Sequence, residues 1–466
     1  MALSRIWTAF ILIALSMALV NGLSDGNTGA YFSAMVTGKT GDTMRLATID
    51  SLQLPASIKP QTGTGAVLSE GGRKYLPQAD GQWEVFRTQR SDGIIETCKS
   101  SINLALGLIG IMALFMGFMS IAEKAGGIRF LSRIIGPFFS RIFPEIPKGH
   151  PSMGHMMMNF SANLLGLDNA ATPFGIRAME SLQELNPEKD RASNAQIMFL
   201  ALHASGLTLI PVSIIALRSA AHAANPMDIF IPCMIATFAA TLAAILIVSL
   251  KQRINLLQPV IVAWILGISS LIALLILYIG TLATGEVQYF SSTLSNGLIL
   301  LIFLLIVAGA MYKKVNVFES FVEGAKGGFE VAVRIIPYLV GILVAISMLR
   351  TSGSFDWIIG GMKQLFALLG ADTRFVDGLP TALIKPFSGS GARGMMVDTM
   401  KEFGPDSFAG RLSCILQGSS DTTFYVIAVY FGAISVKNTR YAAGVMLLAD
   451  LAGILTSILL AYLFFS

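Results

Sequence analysis

The sequence predicts an all-α polytopic membrane protein made of two inverted repeats with broken or re-entrant helices, plus a small extramembrane insertion. Three observations carry that prediction. Of 466 residues, 54% are hydrophobic and 13% charged, against about 25% charged in soluble chains. The apolar residues collect into runs approaching the roughly 20 that a bilayer core requires: 6–20, 102–122, 197–217, 229–250, 260–282, 298–311, 335–349, 412–433 and 442–465. A polar motif also recurs at matching places in the two halves. The runs are read as helices because an unpaired backbone amide in lipid costs several kcal/mol, which strands avoid only in a closed barrel.

The first run, with Arg5 before an apolar core, also fits a cleavable signal peptide. It is read as a retained helix because the second half has a membrane counterpart for it. Residues 24–93 follow, polar and rich in Gly, Thr and Asp. Within them Lys74-Tyr-Leu-Pro-Gln-Ala-Asp80-Gly81-Gln-Trp-Glu-Val-Phe86 reads as a hairpin turning at Asp-Gly, where left-handed conformations are tolerated. This stretch is expected to be an extracytoplasmic module of β character.

The repeat is visible in Thr172-Pro-Phe-Gly175-Ile-Arg177-Ala-Met179 and Ser388-Gly-Ser-Gly391-Ala-Arg393-Gly-Met395. Some thirty residues later Leu202-His203-Ala-Ser205-Gly-Leu-Thr208 matches Leu416-Gln417-Gly-Ser419-Ser-Asp421-Thr422. Ordered matches flanked by the same series of helices indicate an internal repeat. Lys124, Arg129, Arg133, Arg141 and Lys148 crowd one loop, Lys251 and Arg253 a second, Lys313 and Lys314 a third, while 283–293 has no Lys or Arg. With basic loops cytoplasmic, the first half starts and ends inside and the second starts and ends outside. The expected segments are a first transmembrane helix at 1–23, the insertion at 24–93, the rest of repeat 1 at 94–250, an orientation-reversing linker helix at 257–284 and repeat 2 at 290–466.

The candidate site lies where backbone is broken at membrane depth, since half-helix ends offer N–H groups to anions and carbonyls to cations. These segments are 150–182 and 379–400, each rich in Pro and Gly. Asp168, Asn169 and Thr172 fit either a solute site or a helix cap. Ser388 and Ser390 fit a hydroxyl-rich site or a close helix crossing. His203 with Ser205, and Gln417 with Ser419, are polar groups inside apolar helices, a functional signal by default, although interhelical hydrogen bonds also account for them. Arg177 and Arg393 fit an anion contact or a helix end snorkelling to the interface. Asp421 and Asp450 are the candidates for ion coupling, because an ionised carboxylate in an apolar helix must be paired or protonated. Their first-half counterparts fall near Leu207 and Ala236, which carry no charge.

His150 and His155 are isolated and wrongly spaced for a metal centre, and are read as solvated loop histidines. Cys98, Cys233 and Cys414 make neither a disulfide framework nor a zinc spacing. No cofactor, metal site or catalytic constellation is readable, so an enzyme is not expected. The net charge of +5 forms no stripe suited to nucleic acid. The expected partners are the lipid bilayer and a small solute, with nucleosides and ions both open; a homo-oligomer is left open too.

At these residues the chain resembles a known family. Gly166-Leu-Asp-Asn-Ala-Ala-Thr-Pro-Phe-Gly-Ile-Arg-Ala-Met-Glu180 resembles the signature of spore maturation protein A. Tyr312-Lys-Lys-Val-Asn-Val-Phe-Glu-Ser-Phe-Val-Glu-Gly324, Ile336-Pro-Tyr-Leu-Val-Gly-Ile-Leu-Val-Ala-Ile346 and the stretch from Leu416 to Ala433 are similar to spore maturation protein B. The resemblance omits 24–93 and 260–282 and implies a fusion of the two. Both belong to the nucleoside-recognition, or gate, domain group, which resembles parts of concentrative nucleoside transporters and of the ferrous-iron transport protein B. It implies transport across a bacterial inner membrane without fixing a substrate. A non-transporting scaffold or sensor acting through the outer insertion is the alternative.

Overall fold

The computed structural model describes residues 2–24, 28–50, 68–70, 73–77, 82–147, 149–164, 168–279, 281–282 and 284–465. The chain forms two compact units, one of Met1–Leu3, Ile102–Ile342 and Met362–Ser466, the other of Ser4–Ser101 and Leu343–Gly361.

The smaller unit holds most of α1 (Ala2–Ser24), then α2 (Thr28–Thr37) and a sheet of β1 (Gly38–Asp50), β2 (Leu68–Glu70), β3 (Arg73–Pro77) and β4 (Gln82–Asp92). The sheet is antiparallel in the order β1-β4-β3-β2. The insertion therefore has the expected β character, preceded by one short helix. The β3–β4 hairpin forms, with Pro77 opposite Trp83; its Asp80-Gly81 turn lies outside the described residues.

The chain continues through α3 (Ile94–Lys124), α4 (Gly127–Ile142), α5 (Pro151–Leu164), α6 (Asp168–Leu185), α7 (Asn194–Ala204), α8 (Val212–Ala220), α9 (Phe230–Gln252) and α10 (Pro259–Ile279). It then forms α11 (Thr284–Tyr312), α12 (Val317–Thr351), α13 (Ser354–Leu368), α14 (Leu379–Ile384), α15 (Gly389–Phe403), α16 (Phe408–Gly418), α17 (Thr423–Ala433) and α18 (Ala442–Phe465). Six described helices are long and apolar enough to cross a membrane: Trp7–Ser24, Ile94–Lys124, Phe230–Gln252, Pro259–Ile279, Tyr289–Tyr312 and Ala442–Phe465. On α10, Leu266, Leu271, Leu274 and Leu277 are all exposed, and so much contiguous apolar surface requires lipid. The protein is a multi-pass membrane protein.

Three expected continuous spans take another form. Residues 335–349 lie inside the 35-residue α12. The run 197–217 is broken between α7 and α8, where Gly206 takes φ +65° and Pro211, which has no N–H to donate, precedes α8. The run 412–433 is broken between α16 and α17, where the Asp421 carboxylate accepts from the Thr422 backbone N–H at 2.6 Å. Local side-chain bonding of this kind competes with the helix ladder. His155 also differs from expectation: it lies within α5, with Nδ1 3.0 Å from Ser181 Oγ on α6, because the helix begins as early as Pro151.

Hydrogen bonds show directly that the repeats are inverted. The equivalent helices α9 and α18 pack together. At the C-terminal end of α9, Gln252 donates to the Asn194 carbonyl at 2.8 Å and to Tyr441, at the start of α18, at 3.0 Å. At the opposite end, Asp228, just before α9, pairs with Arg411 at 2.7 Å, and the Arg411 guanidinium lies 4.9 Å from the Phe465 ring at the end of α18. Equivalent helices therefore run antiparallel.

The same bonds trace the other elements. Asn194 opens α7 at the Lys251 end, and Arg218 closes α8 at the far end. There its buried guanidinium meets Asp228 at 2.8 Å, Asp406 at 3.1 Å and the Pro405 carbonyl at 2.6 Å. The α16–α17 pair runs the other way, and its following loop returns to the first end, where Lys437 N–H donates to the Asp190 carbonyl. Helices α5 and α6 form a hairpin inserted from the Lys251 end, and α14 with α15 form one inserted from the Phe465 end.

Candidate functional site

The two hairpin tips and the two helix breaks converge. Leu209 N–H, in the first break, donates to the Leu164 carbonyl at the end of α5. Phe424 N–H, just past the second break, donates to the Pro386 carbonyl at the tip of the second hairpin. The breaks also meet each other, since Asp421 N–H donates to the Ala204 carbonyl at 2.7 Å. Helices α7 and α16 have 11 residues each, about 16 Å at 1.5 Å per residue, or half of a roughly 30 Å core. The convergence therefore lies about half a bilayer core in from the outer ends of these two helices.

A cavity of about 350 Å³ opens there. The first hairpin lines it with Asn163, Ala171 and Thr172, the first break with His203, Gly206 and Thr208, the second hairpin with Lys385, Gly389 and Arg393, and the second break with Gln417, Ser420, Asp421 and Thr422. The α15 hairpin comes close because position 389 is glycine: a Cβ there would lie 2.6 Å from Thr422 Oγ1.

His203 anchors the first-half wall. Its Nδ1 lies 3.1 Å from Asn159 Oδ1 and 3.0 Å from Asn163 Nδ2, and its Nε2 lies 3.0 Å from the Tyr430 hydroxyl. Asn159 is oriented by its amide, which donates to the Ala171 carbonyl at 2.7 Å. The Asn159 oxygen is thus turned towards His203 Nδ1, and Nε2 shares one hydrogen bond with the Tyr430 hydroxyl. Asp421 Oδ2 stands 3.9 Å from Nε2, its side chain 48% exposed.

The second-half wall is charged. Helix α16 points its carbonyl end at the cavity, where partial negative charge favours a cation, and the buried Lys385 ammonium donates to the Gln417 carbonyl. Gln417 Oε1 is a buried acceptor without a hydrogen-bond donor. Asp450, on α18, is 3% exposed and accepts from Thr423 Oγ1 at 2.6 Å through Oδ2, while its Oδ1 has no partner.

Thr172, His203, Gln417 and Asp421 thus line one cavity, and Asp450 sits behind the wall. The side chains of Asp168 and Asn169 lie outside the described residues. Ser205 and Ser419 are not in the wall: each is a C-cap and donates to the carbonyl three residues back, Leu202 at 2.7 Å and Leu416 at 2.9 Å. Ser388 caps α15 by accepting from Gly391 N–H at 2.9 Å, and Ser390 is outside the lining, 3.4 Å from Ser388 Oγ. Arg177 is exposed on α6, whereas its counterpart Arg393 faces the cavity. Sequence reasoning missed Asn159, Asn163, Lys385 and Tyr430. Lys385, a cation amid apolar residues, carried a signal that the intramembrane-charge rule would have caught; the others are ordinary in local sequence.

Comparison with known proteins follows this geometry. The family model "Gate: Nucleoside recognition" matches residues 105–221 and 332–437, two segments that together contain every residue lining the cavity. Spore maturation protein B of Bacillus subtilis (strain 168) is 48% identical over 174 residues, 36% of this chain and 96% of that protein. Spore maturation protein A of the same organism is 41% identical over 157 residues, 34% of this chain and 80% of that protein. No solved structure matches the chain.

Proposed function

Because the chain belongs to the gate family, as a fusion of its spore maturation protein A and B branches, we propose that it is a transporter or solute gate of a bacterial inner membrane. The observation that carries this reading is the polar cavity built from two oppositely inserted hairpin tips and two helix breaks. Burying this many polar groups in a bilayer costs stability, and a packed apolar crossing would have served a purely structural role. Thr172, His203, Gln417 and Asp421 are the solute-facing groups of the proposal, with Lys385 and Arg393 added. Asp421 and Asp450 are its ion-coupling carboxylates. The solute is small, because the cavity lies at the low end of the roughly 300–1,000 Å³ range of small-molecule pockets.

The test is uptake by proteoliposomes across nucleosides, amino acids, cations and anions, with Gly389→Trp as a plug at the hairpin tip. The reading expects at least one solute to enter saturably and the plug to abolish that uptake. A second reading, a scaffold or sensor, is favoured by the four-stranded sheet inserted before α3. Deleting residues 28–92 separates the two: a transporter retains uptake, whereas a scaffold loses its cellular phenotype and shows no uptake in either form.

A further inference from the structure

We propose that the solute is a small anion, a carboxylate or other oxyanion, and that one proton bound at Asp450 accompanies it. This rests on the transporter reading above and adds the substrate class and the coupling ion.

Four charged groups are clustered at the second-half wall: Lys385, Arg393 and Asp421 in the cavity lining, and Asp450 one residue behind it. Thr422 is in the lining while its neighbour Thr423 holds Asp450. With all four ionised the cluster sums to zero, and a small anion placed in it would be an uncompensated charge. A proton on Asp450 leaves one net positive charge, which a single anionic group balances. Mutual attraction is strong in so poorly screened a place.

Geometry identifies Asp450 as the group that changes state. Of the two wall carboxylates, Asp421 is half exposed and accepts a backbone N–H, so its charge is hydrated and hydrogen-bonded. Asp450 is almost wholly buried, accepts from the Thr423 hydroxyl with the Ser420 hydroxyl also near it, and leaves Oδ1 without a hydrogen bond. An ionised carboxylate whose hydrogen-bonding neighbours are neutral hydroxyls alone is poorly compensated, whereas the acid form asks less of its surroundings. The charged groups facing it are Lys385 from α14 and Asp421 from the second break. Further off stand Arg393 on α15 and the Cys233 thiol on α9, both beside Lys385, and His203 on α7, beside Asp421. The Gln417 carbonyl at the negative end of α16 favours the charged form of Lys385, and the proposal places the exchanged proton at the carboxylate. No bond is made or broken beyond the O–H of Asp450, which forms as proton and anion bind and is lost as both leave.

The experiment uses the full chain in proteoliposomes with a pH dye in the lumen, given the labelled monoanions lactate or nitrate or, as a neutral probe, uridine. The expected result is saturable uptake of lactate or nitrate with acidification of the lumen. One-proton coupling makes uptake rise by up to about tenfold per unit of external acidification. In Asp450→Asn the anion-driven acidification is lost, and Lys385→Gln lowers anion uptake at least tenfold while Lys385→Arg, which shows that the position tolerates change, restores most of it. Anion uptake without acidification overturns the coupling, and so does full acidification in Asp450→Asn. Uptake of uridine with neither anion leaves the transporter reading standing and removes the anion. Failure of all three probes removes this inference, while the broader solute panel above still decides the transporter reading.

Discussion

The two halves share one skeleton and differ in chemistry. Helices α7 and α16 both have 11 residues and both end in a serine bonded to the carbonyl three residues back. Yet the first half gives the cavity a hydrogen-bonded chain through Asn159, His203 and Tyr430 of the partner half, whereas the second gives it Lys385, Arg393 and Asp421. Inversion makes the backbone of the two walls equivalent, and substitution then places every charge on one of them. The lesson is that symmetry supplies the broken helices while asymmetry of side chains supplies a direction for charge.

The strongest way to break the comparison is at the joint between the halves. Arg218, from the first, is fully buried between Asp228 and Asp406. Removing one partner of a buried pair costs about 3–5 kcal/mol, so Arg218→Met should lower stability by that amount in a denaturant titration in micelles. At the other end Arg440 is exposed and bonds Asn194 at 3.0 Å; Arg440→Ala should cost under about 1 kcal/mol. Equal losses at the two ends would show that the far joint is not the stronger one.

The next largest effect sharpens the contrast between walls. A hydrogen bond to a charged group is worth about 2 kcal/mol and a neutral one about 1, or roughly thirtyfold and fivefold in an equilibrium constant. Uptake should therefore fall about thirtyfold in Lys385→Gln and about fivefold in His203→Gln, which installs the residue of the equivalent position, Gln417. Should the histidine variant prove the more damaging, the functional asymmetry would be reversed.

A smaller effect separates the glycines. At Gly206, with φ +65° and a Cβ position 3.1 Å from Asp421 N, alanine should cost about 1 kcal/mol through backbone strain. Gly389 has ordinary backbone geometry, and Gly389→Ala should act through contact with Thr422, so Thr422→Ala should relieve it. If the double variant is no better than the single one, close approach is not what glycine provides at 389.

The gentlest probe leaves the activity alone and reads orientation. His222 and Lys437 are both exposed, on the loops at opposite ends of the antiparallel α9–α18 pair. In a background lacking Cys98, His222→Cys should be labelled from outside intact cells and Lys437→Cys only after permeabilisation. The reverse pattern would keep the inverted fold and turn it over in the membrane.

The sequence by itself determined the membrane class, the repeat, its inversion, the β insertion and the two broken hairpin segments, though not the breaks inside 197–217 and 412–433, because each of the former leaves a local trace. Apolar length, the G-x-R-x-M recurrence, lopsided basic loops, an Asp-Gly turn, and Pro and Gly in apolar surroundings are all readable along the chain. It also picked out His203, Gln417, Asp421 and Asp450, since a polar group in an apolar helix is conspicuous without a fold. Only the tertiary structure decided which hydroxyls face the cavity and which close a helix: Ser205 and Ser419 recur as faithfully as any site residue, but they recur as caps. Likewise Arg177 and Arg393 share one motif, yet one is exposed and the other lines the cavity. Such facts depend on which helix packs against which face, and a repeated local pattern is silent about its neighbours.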